Sequence, residues 1–487
     1  MAYDSVEKYA YTVSEQGAVN VIDYNDPANP TVKSELAIDL SGSTLTNVKV
    51  CANRLFVAVV ASSKTDSGMV KIYNKVERAS PAAPSHVQDV IVGPLPDMIL
   101  PNADCTLLAV ANEGEGSEKS GSLVDPEGSV SIVDLADFSV TPVSFSGLGD
   151  DAQLESDGVH LPLPLNAMEY FDEHGKDAGD VDLSQARAAY TTATQLEPEY
   201  LAWSPDGTKL YVNLQENSAL VTITASQSGF TVDGISAYGL KDWSSSGTTQ
   251  GIDTVEDDDC VLAHRPGFKT MRMPDSIAMV QVDGTPYVLT ANEGDDKEYS
   301  FFEEKQKFKD FIDSATAFDS DFPNFSVAGS QGLADAFANF GDTKMRITIG
   351  SSGVDYSTPS APTFKGAVAF GGRGISMYSV GAAGALTLEW DSGSDFEKLQ
   401  CANYPWAHNG IQDEEFSPLN GVLYNMADAD LQETIEEMND PAKDGCDDAG
   451  DGSSGACPLG QTVDERSLKD GAGPESIVTG VACGRLL

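Results

Sequence analysis

A chain of 487 residues can bury a large core, and a hydrophobic content of 41% excludes wholesale disorder. Its 29 Lys and Arg face 76 Asp and Glu, a formal net charge of −47 that repels nucleic acid and anionic membrane. The same field attracts cations, above all hard divalent ones that take oxygen ligands. Solubility, or adaptation to a salty medium, explains the total charge equally well, so the placement of the carboxylates is the stronger evidence.

Taken in chain order, the first residues enter strand-like sequence almost at once, without the apolar stretch of a signal peptide. Residues 9–13 with 18–23, then 55–60 with 69–73, pair two short apolar strands across a polar loop. The pattern returns at 107–111 with 129–135 and at 210–214 with 219–223. Before the last of these pairs, Pro205-Asp206-Gly207 supplies turn chemistry: a preset φ, a self-bonding carboxylate and a tolerance of positive φ. Later copies are read at 287–291 and at 367–370 with 374–378.

Two acidic elements keep step with these strands. The first is Pro followed by a carboxylate and apolar residues, at Pro96-Asp97, Pro198-Glu199, Pro274-Asp275 and Pro474-Glu475. The second is a loop after the strand: Asn112-Glu113-Gly114-Glu115, Gln215-Glu216-Asn217 and Asn292-Glu293-Gly294-Asp295. Repeated short antiparallel strands with such turns predict an all-β fold, a β-propeller of about seven four-stranded blades forming one domain over 1–487. A β-sandwich with long loops is the alternative, although sandwich strands need not repeat one acidic element.

Long insertions are expected at about 141–195, 241–272, 297–365 and 402–472, building the rim of a binding site. The third contains helical spacing of Phe308, Phe311 and Ile312 within 301–318, and the fourth is acidic and Gly-rich over 440–455.

In a propeller, Asp97, Glu199, Asp275 and Glu475 would surround one mouth of the central channel. Like charges so close raise one another's pKa unless cations intervene, and calcium takes six to eight oxygens in flexible geometry. The expected metal ligands are Asp97, Glu113, Glu197, Glu199, Glu216, Asp275, Glu293, Asp295 and Glu475, with Asn112, Asn217 and Asn292 adding amide oxygens. The bland alternative is that these loops cap strands and stay solvated. Asp125 and Glu127 also fit ordinary turn chemistry. Arg373, after Gly371-Gly372, either pairs with an acidic residue or reaches phosphate with its planar fork. Tyr200, Trp203 and Tyr211 are read as blade packing.

The seven cysteines, Cys51, Cys105, Cys260, Cys401, Cys446, Cys457 and Cys483, include no CxxC pair, which argues against a zinc ribbon or redox motif. Cys446 and Cys457 bracket a loop that a disulfide would close, as suits a secreted protein. Asn324-Phe325-Ser326 is a glycosylation sequon. The five histidines are scattered, without an HExxH or HxH pair, and there is no nucleophile-elbow serine, P-loop or dinucleotide fingerprint. Asp313-Ser314-Ala315 is similar to the nucleophile motif of alkaline phosphatases but lacks its metal-binding surroundings. No run is apolar enough to span a bilayer.

The run Gly17-Ala18-Val19-Asn20-Val21-Ile22-Asp23 with Asp26-Pro27-Ala28-Asn29-Pro30 resembles an LVIVD-type propeller repeat. Leu95-Pro96-Asp97-Met98, Ala111-Asn112-Glu113-Gly114-Glu115 and Val124-Asp125-Pro126-Glu127-Gly128 are more specific. With Leu196-Glu197-Pro198-Glu199, Thr290-Ala291-Asn292-Glu293-Gly294-Asp295, Phe370-Gly371-Gly372-Arg373 and Gly473-Pro474-Glu475, they resemble the choice-of-anchor I domain over nearly the whole chain. That family includes mesenchyme-specific cell-surface glycoproteins of biomineralising cells. The resemblance implies an extracellular or surface-anchored propeller with a role in calcium handling or mineral deposition, and no established catalytic set. It also implies a first blade and a last blade that are incomplete here, so the propeller is expected to be trimmed at both ends, its secretion signal included.

Three readings follow. The first is a calcium-binding module recruiting mineral, matrix, phosphorylated ligands or a protein partner. The second is a calcium-dependent phosphoesterase, with Arg373 orienting phosphate, Glu199 at the mouth and a metal-bound water attacking. The third is an acidic scaffold with no specific metal.

Overall fold

The structure is a computed structural model and describes residues 1–14, 16–119, 122–173, 183–244, 251–255, 260–299, 302–308, 345–360, 362–403, 409, 465–469, 471–482 and 485–486. Five antiparallel meanders follow one another along the chain. The first runs Ala2–Asp4, Tyr9–Ser14, Ala18–Asp23 and Thr31–Val32, with a short extra strand at Ile38–Asp39. The second runs Leu45–Cys51, Arg54–Val59, Ser67–Asn74 and Ser85–Pro94, and the third Pro96–Pro101, Leu107–Asn112, Ser129–Asp134 and Val140–Ser144. The fourth is Tyr200–Trp203, Lys209–Leu214, Ala219–Ser226 and Gly229–Ala237, and the fifth Ser276–Val282, Thr285–Asn292, Gly374–Val380 and Leu386–Asp391.

Each sheet packs its first strand against the first strand of the sheet before it. Side-chain alternation shows why. Along Arg54–Val59, the side chains of Leu55, Val57 and Val59 enter the core shared with the first sheet, and Phe56 and Ala58 enter the core shared with the third. Along Lys209–Leu214, Leu210, Val212 and Leu214 face the third sheet, while Tyr211 faces the fifth. A strand with both faces apolar is stable only between two neighbours, so the sheets stack as propeller blades. Tyr200, Trp203 and Tyr211 are part of this packing, as expected. Five four-stranded blades are present among the described residues, against an expected seven or so. Beyond them, Ile477 N–H donates to Ser276 Oγ (2.8 Å), which lays residues 477–479 along the inner strand of the fifth blade.

The first insertion lies between the third and fourth blades and the second between the fourth and fifth. The third interrupts the fifth blade between its second and third strands. Residues 367–369 are therefore not the ladder partner of the strand that follows them, contrary to expectation. Ala367–Ala369 pairs in parallel with Phe268–Met271, which also pairs with Leu240–Asp242. Of the segment 301–318, residues 302–307 are strand and bend rather than helix, whereas Phe308, the first of the three residues with helical spacing, is helical; Phe311 and Ile312 lie outside the described residues. Phe302–Glu303 pairs with Glu298–Tyr299, and Lys305–Lys307 pairs with Arg346–Thr348. Cross-strand pairing decides residues 302–307, and Phe308 is buried in the insertion core. The remainder of that segment, the acidic 440–455 stretch, Asn324, Asp313-Ser314-Ala315 and the Cys446/Cys457 pair lie outside the described residues.

Among the described residues two disulfides form, Cys51–Cys105 and Cys260–Cys401. The first joins the inner strand of the second blade to the inner hairpin of the third. Its sequence separation of 54 residues implies a loop-closure contribution of about 4 kcal/mol. Replacing both cysteines by alanine is expected to lower the urea midpoint accordingly. An unchanged midpoint would mean that blade packing alone holds this pair.

Candidate functional site

A proline and a carboxylate stand at or just before the start of the inner strands of three blades, Pro96-Asp97, Pro198-Glu199 and Pro274-Asp275. Leu95 and Met273, each just before a proline, take positive φ (47° and 36°). After Pro96 pairs with Asn112, the register shifts before Ile99, so Asp97 sits in a bulge. Glu199 N–H donates to Asn213 O (3.0 Å) and Asp275 N–H to Ala291 O (3.1 Å), which fixes both residues at the mouth.

Asn112 and Asn292, at the ends of the second strands, are fully buried, as is Asn213. Asn112 Nδ2 donates to Ser131 Oγ (3.0 Å) and Asn292 Nδ2 to Ser376 Oγ (2.8 Å), clamping second strand to third. Their side-chain oxygens accept from Gly93 N–H and Thr290 Oγ1, and Asn217 Oδ1 accepts from Glu197 N–H. The expectation that Asn112, Asn217 and Asn292 offer oxygens to a metal is overturned: buried amides are claimed first by the fold.

The carboxylates do converge. A cavity of about 750 Å³ is lined by Glu113, Glu197, Glu199, Glu216, Glu293, Asp295 and Glu475. Asp97 and Asp275 lie outside the lining but inside the same field, since Asp97 acts on Glu113, Glu199 and Asp275. Sequence reading missed Glu115, Asp296, Glu298, Lys297, Lys305 and Arg466, which also line it. Four of these continue the same two loops, after Gly114 and Gly294, and that continuation was the available signal.

Burial and mutual repulsion load these groups. Burial first, then Glu216 and Glu113, raises Glu199 well above the carboxylate range, and burial with Glu197 and Asp295 does the same to Glu216. Glu113 is raised likewise by burial, Glu197 and Glu216. Burial, Asp97 and Glu475 push Asp275 up to about 7, and burial with Asp275 takes Glu293 to about 7. Asp97 rises to about 6 through burial alone. Glu197 stays above the ordinary range because burial outweighs its ion pair with Lys297. Lys305 pairs with Asp296 at 2.6 Å.

Glu199 and Glu216 hydrogen-bond to each other, carboxyl to carboxylate, and among the described residues no other donor reaches Glu199 Oε2 or Glu216 Oε2; Glu216 is only 6% exposed. Buried carboxylate oxygens without donors carry a desolvation cost that a proton or a cation must offset. The donor set is all oxygen, as a hard cation requires. Among the described residues, no three carboxylates, imidazoles or thiols stand together as a ready-made ion cage. Water would therefore supply part of any coordination shell.

Arg373 lies outside the cavity lining and takes the first of its two expected roles, pairing with an acidic residue instead of reaching for phosphate. It is 1% exposed, with φ of 50°. Nη1 donates to Glu397 Oε1 (2.6 Å) and Asp253 O (2.6 Å), and Nη2 to Ser467 O (2.8 Å) and Lys469 O (2.9 Å). The guanidinium is an internal bracket. A phosphoesterase built on Arg373 loses its anion-binding group.

The blades and their acidic mouth define a propeller with a carboxylate-lined funnel. The chain belongs to the choice-of-anchor I domain family, whose model matches residues 1–421, and is a surface-associated β-propeller module. No curated protein matches it in sequence. It is similar to the hydrazine synthase of Kuenenia stuttgartiensis at 12% identity and TM-score 0.33, over 60% of this chain and 67% of that one. It is also similar to Sqt1 of Saccharomyces cerevisiae (10%, TM-score 0.31, 62% and 70%) and to the WD40 domain of Toxoplasma gondii coronin (13%, 0.30, 60% and 64%). The chain spans 51% of the length of a 6-phosphogluconolactonase-like protein from Bacteroides uniformis that it also resembles. At these scores the fold rests on the sheets themselves. Among the described residues, no helix is long and apolar enough to cross a membrane.

Proposed function

We propose that the propeller mouth binds calcium and that the chain serves outside the cell as a cation-dependent binding module. The supporting observation is the buried Glu199–Glu216 carboxyl pair, whose Oε2 atoms have no further donor among the described residues, in the wall of a cavity lined by further carboxylates. When bound, calcium supplies positive charge and open coordination positions. Glu113, Glu199, Glu216, Glu293 and Glu475 of the lining would hold it, with Asp275 adding to the field from outside the lining. The insertions that wall the cavity are where mineral, matrix or a phosphorylated ligand would be selected. Two disulfides fit an oxidising compartment.

Calorimetric titration should show saturable calcium binding that survives high sodium and exceeds that of magnesium. Diffuse surface charge is screened within about 8–10 Å at moderate ionic strength, so a salt-resistant signal marks an ordered site. The Glu199→Gln/Glu216→Gln protein is expected to lose at least about tenfold in affinity, about 1.4 kcal/mol, with its fold intact. Equal affinity in that variant removes the mouth as the site.

A further inference from the structure

Behind the mouth-lining Lys297 and Lys305, the first and third insertions fold against each other and join three side chains far apart in sequence. His160 is 1% exposed and Glu304 is fully buried. His160 Nε2 lies 2.7 Å from Glu304 Oε1, and His160 Nδ1 lies 3.0 Å from Ser352 Oγ. The tautomer follows from the neighbours. Ser352 N–H donates to Nδ1 (3.3 Å), so Nδ1 holds a lone pair and the ring proton sits on Nε2, shared with Glu304. Glu304 is held in turn by Thr348 Oγ1 and by Lys297 N–H.

Ser352 is only partly buried and stands in a tight turn. Gly353 N–H and Val354 N–H both donate to Gly350 O, at 3.1 and 3.0 Å. A Cβ on Gly350 would lie 2.6 Å from His160 Cε1, so only glycine lets the turn close on the imidazole. A hydroxyl on a base, with the base oriented by a third buried group, is the geometry that activates a nucleophile.

We propose that Ser352, His160 and Glu304 form a nucleophilic triad that takes acyl groups from small activated esters. Ser352 Oγ attacks the ester carbonyl as its proton passes to His160 Nδ1. A C–Oγ bond forms, the bond to the leaving alcohol breaks, and Nδ1 returns the proton to that alcohol. Water then hydrolyses the acyl-serine by the same proton route. Ser352 is the catalytic nucleophile and His160 its base, while Glu304 is a positioning residue. The substrate class follows from what the turn lacks. The N–H groups of Ser351, Gly353 and Val354 are engaged with carbonyls of the fold, and Ser352 N–H is released only when His160 Nδ1 takes the proton, so at most one weakly placed donor meets a developing oxyanion. One such donor is worth about 10²–10³ in rate elsewhere, so esters with good leaving groups suit this site and amides do not.

The test is labelling of the full chain with a fluorophosphonate probe, followed by peptide mapping. The reaction forms a P–Oγ bond, breaks P–F and releases HF, and needs no other reagent. Labelling is expected at Ser352, at least about 100-fold faster than in the heat-unfolded chain, which is the scale of general-base assistance. Ser352→Ala should abolish it. Glu304→Gln should slow it at least about tenfold and change the pH profile of the labelling rate, which a merely structural role would not do. An unlabelled Ser352 in the folded chain overturns the proposal, as does equal labelling of folded and unfolded chains. So does a Glu304→Gln protein that folds and labels with the native rate and profile.

Discussion

In the presence of a chelator, the protein is expected to melt at progressively lower temperature as pH rises from about 5 to 8, and calcium is expected to reduce that fall. Asp275 and Glu293 titrate at about 7 in the fold and Asp97 at about 6, against ordinary values of 3.8 for Asp and 4.5 for Glu. A carboxylate with a raised folded pKa binds its proton more tightly folded than unfolded. Its stabilising effect is complete below the unfolded value and is lost as pH climbs through the folded one. Each pKa unit corresponds to about 1.4 kcal/mol, so the shift of Asp275 alone represents about 4 kcal/mol. These groups share one field, and Glu293 is partly solvated, so the contributions do not simply add. Asp4 and Asp391 behave oppositely. Against the pull of burial, Lys75 holds Asp4 low, and Lys241 with Arg272 holds Asp391 low, so their effect is confined to more acid conditions. Calcium at a hundredfold excess over its dissociation constant restores about 2.7 kcal/mol by mass action. A melting temperature flat across this pH range without calcium would sink the repulsive-mouth description.

Arg373→Met should cost about 3–5 kcal/mol in unfolding free energy while leaving the calcium stoichiometry unchanged. The substitution strands Glu397, which is fully buried and paired with Arg373 at 2.6 Å. It also removes the donors that hold Asp253 O, Ser467 O and Lys469 O. Urea unfolding and calcium titration on the same preparation check the two halves. Loss of calcium binding in a well-folded Arg373→Met protein would return the residue to the site.

The frame was legible because strand chemistry is local. Apolar residues in short runs, Pro-Asp-Gly turns and the Pro-carboxylate element each act within a few residues, so blade-like units were readable from residue 9 onward. The acidic mouth was legible because the repeat carries each carboxylate to the same height. What sequence reading could not reach are partners that only folding makes neighbours. Arg373 meets carbonyls 94, 96 and 120 residues away, and His160 meets Glu304 and Ser352 across 144 and 192 residues. Asn112 and Asn292 were misread for a different reason. An amide beside an acidic loop looks like a ligand until the second-to-third-strand clamp is seen to need it.

The first three insertions pool their apolar residues. Leu163 and Phe171 from the first, Trp243 and Phe268 from the second, and Phe308, Ile347 and Phe364 from the third belong to one cluster, separate from the cores between blades. None of them can be exchanged alone. Shortening one loop would leave the other two with an uncovered apolar face, so transplanting specificity between related propellers would require moving all three together. Variation among relatives should accordingly arrive in this crown as compensated sets, while single substitutions accumulate on the outer strands.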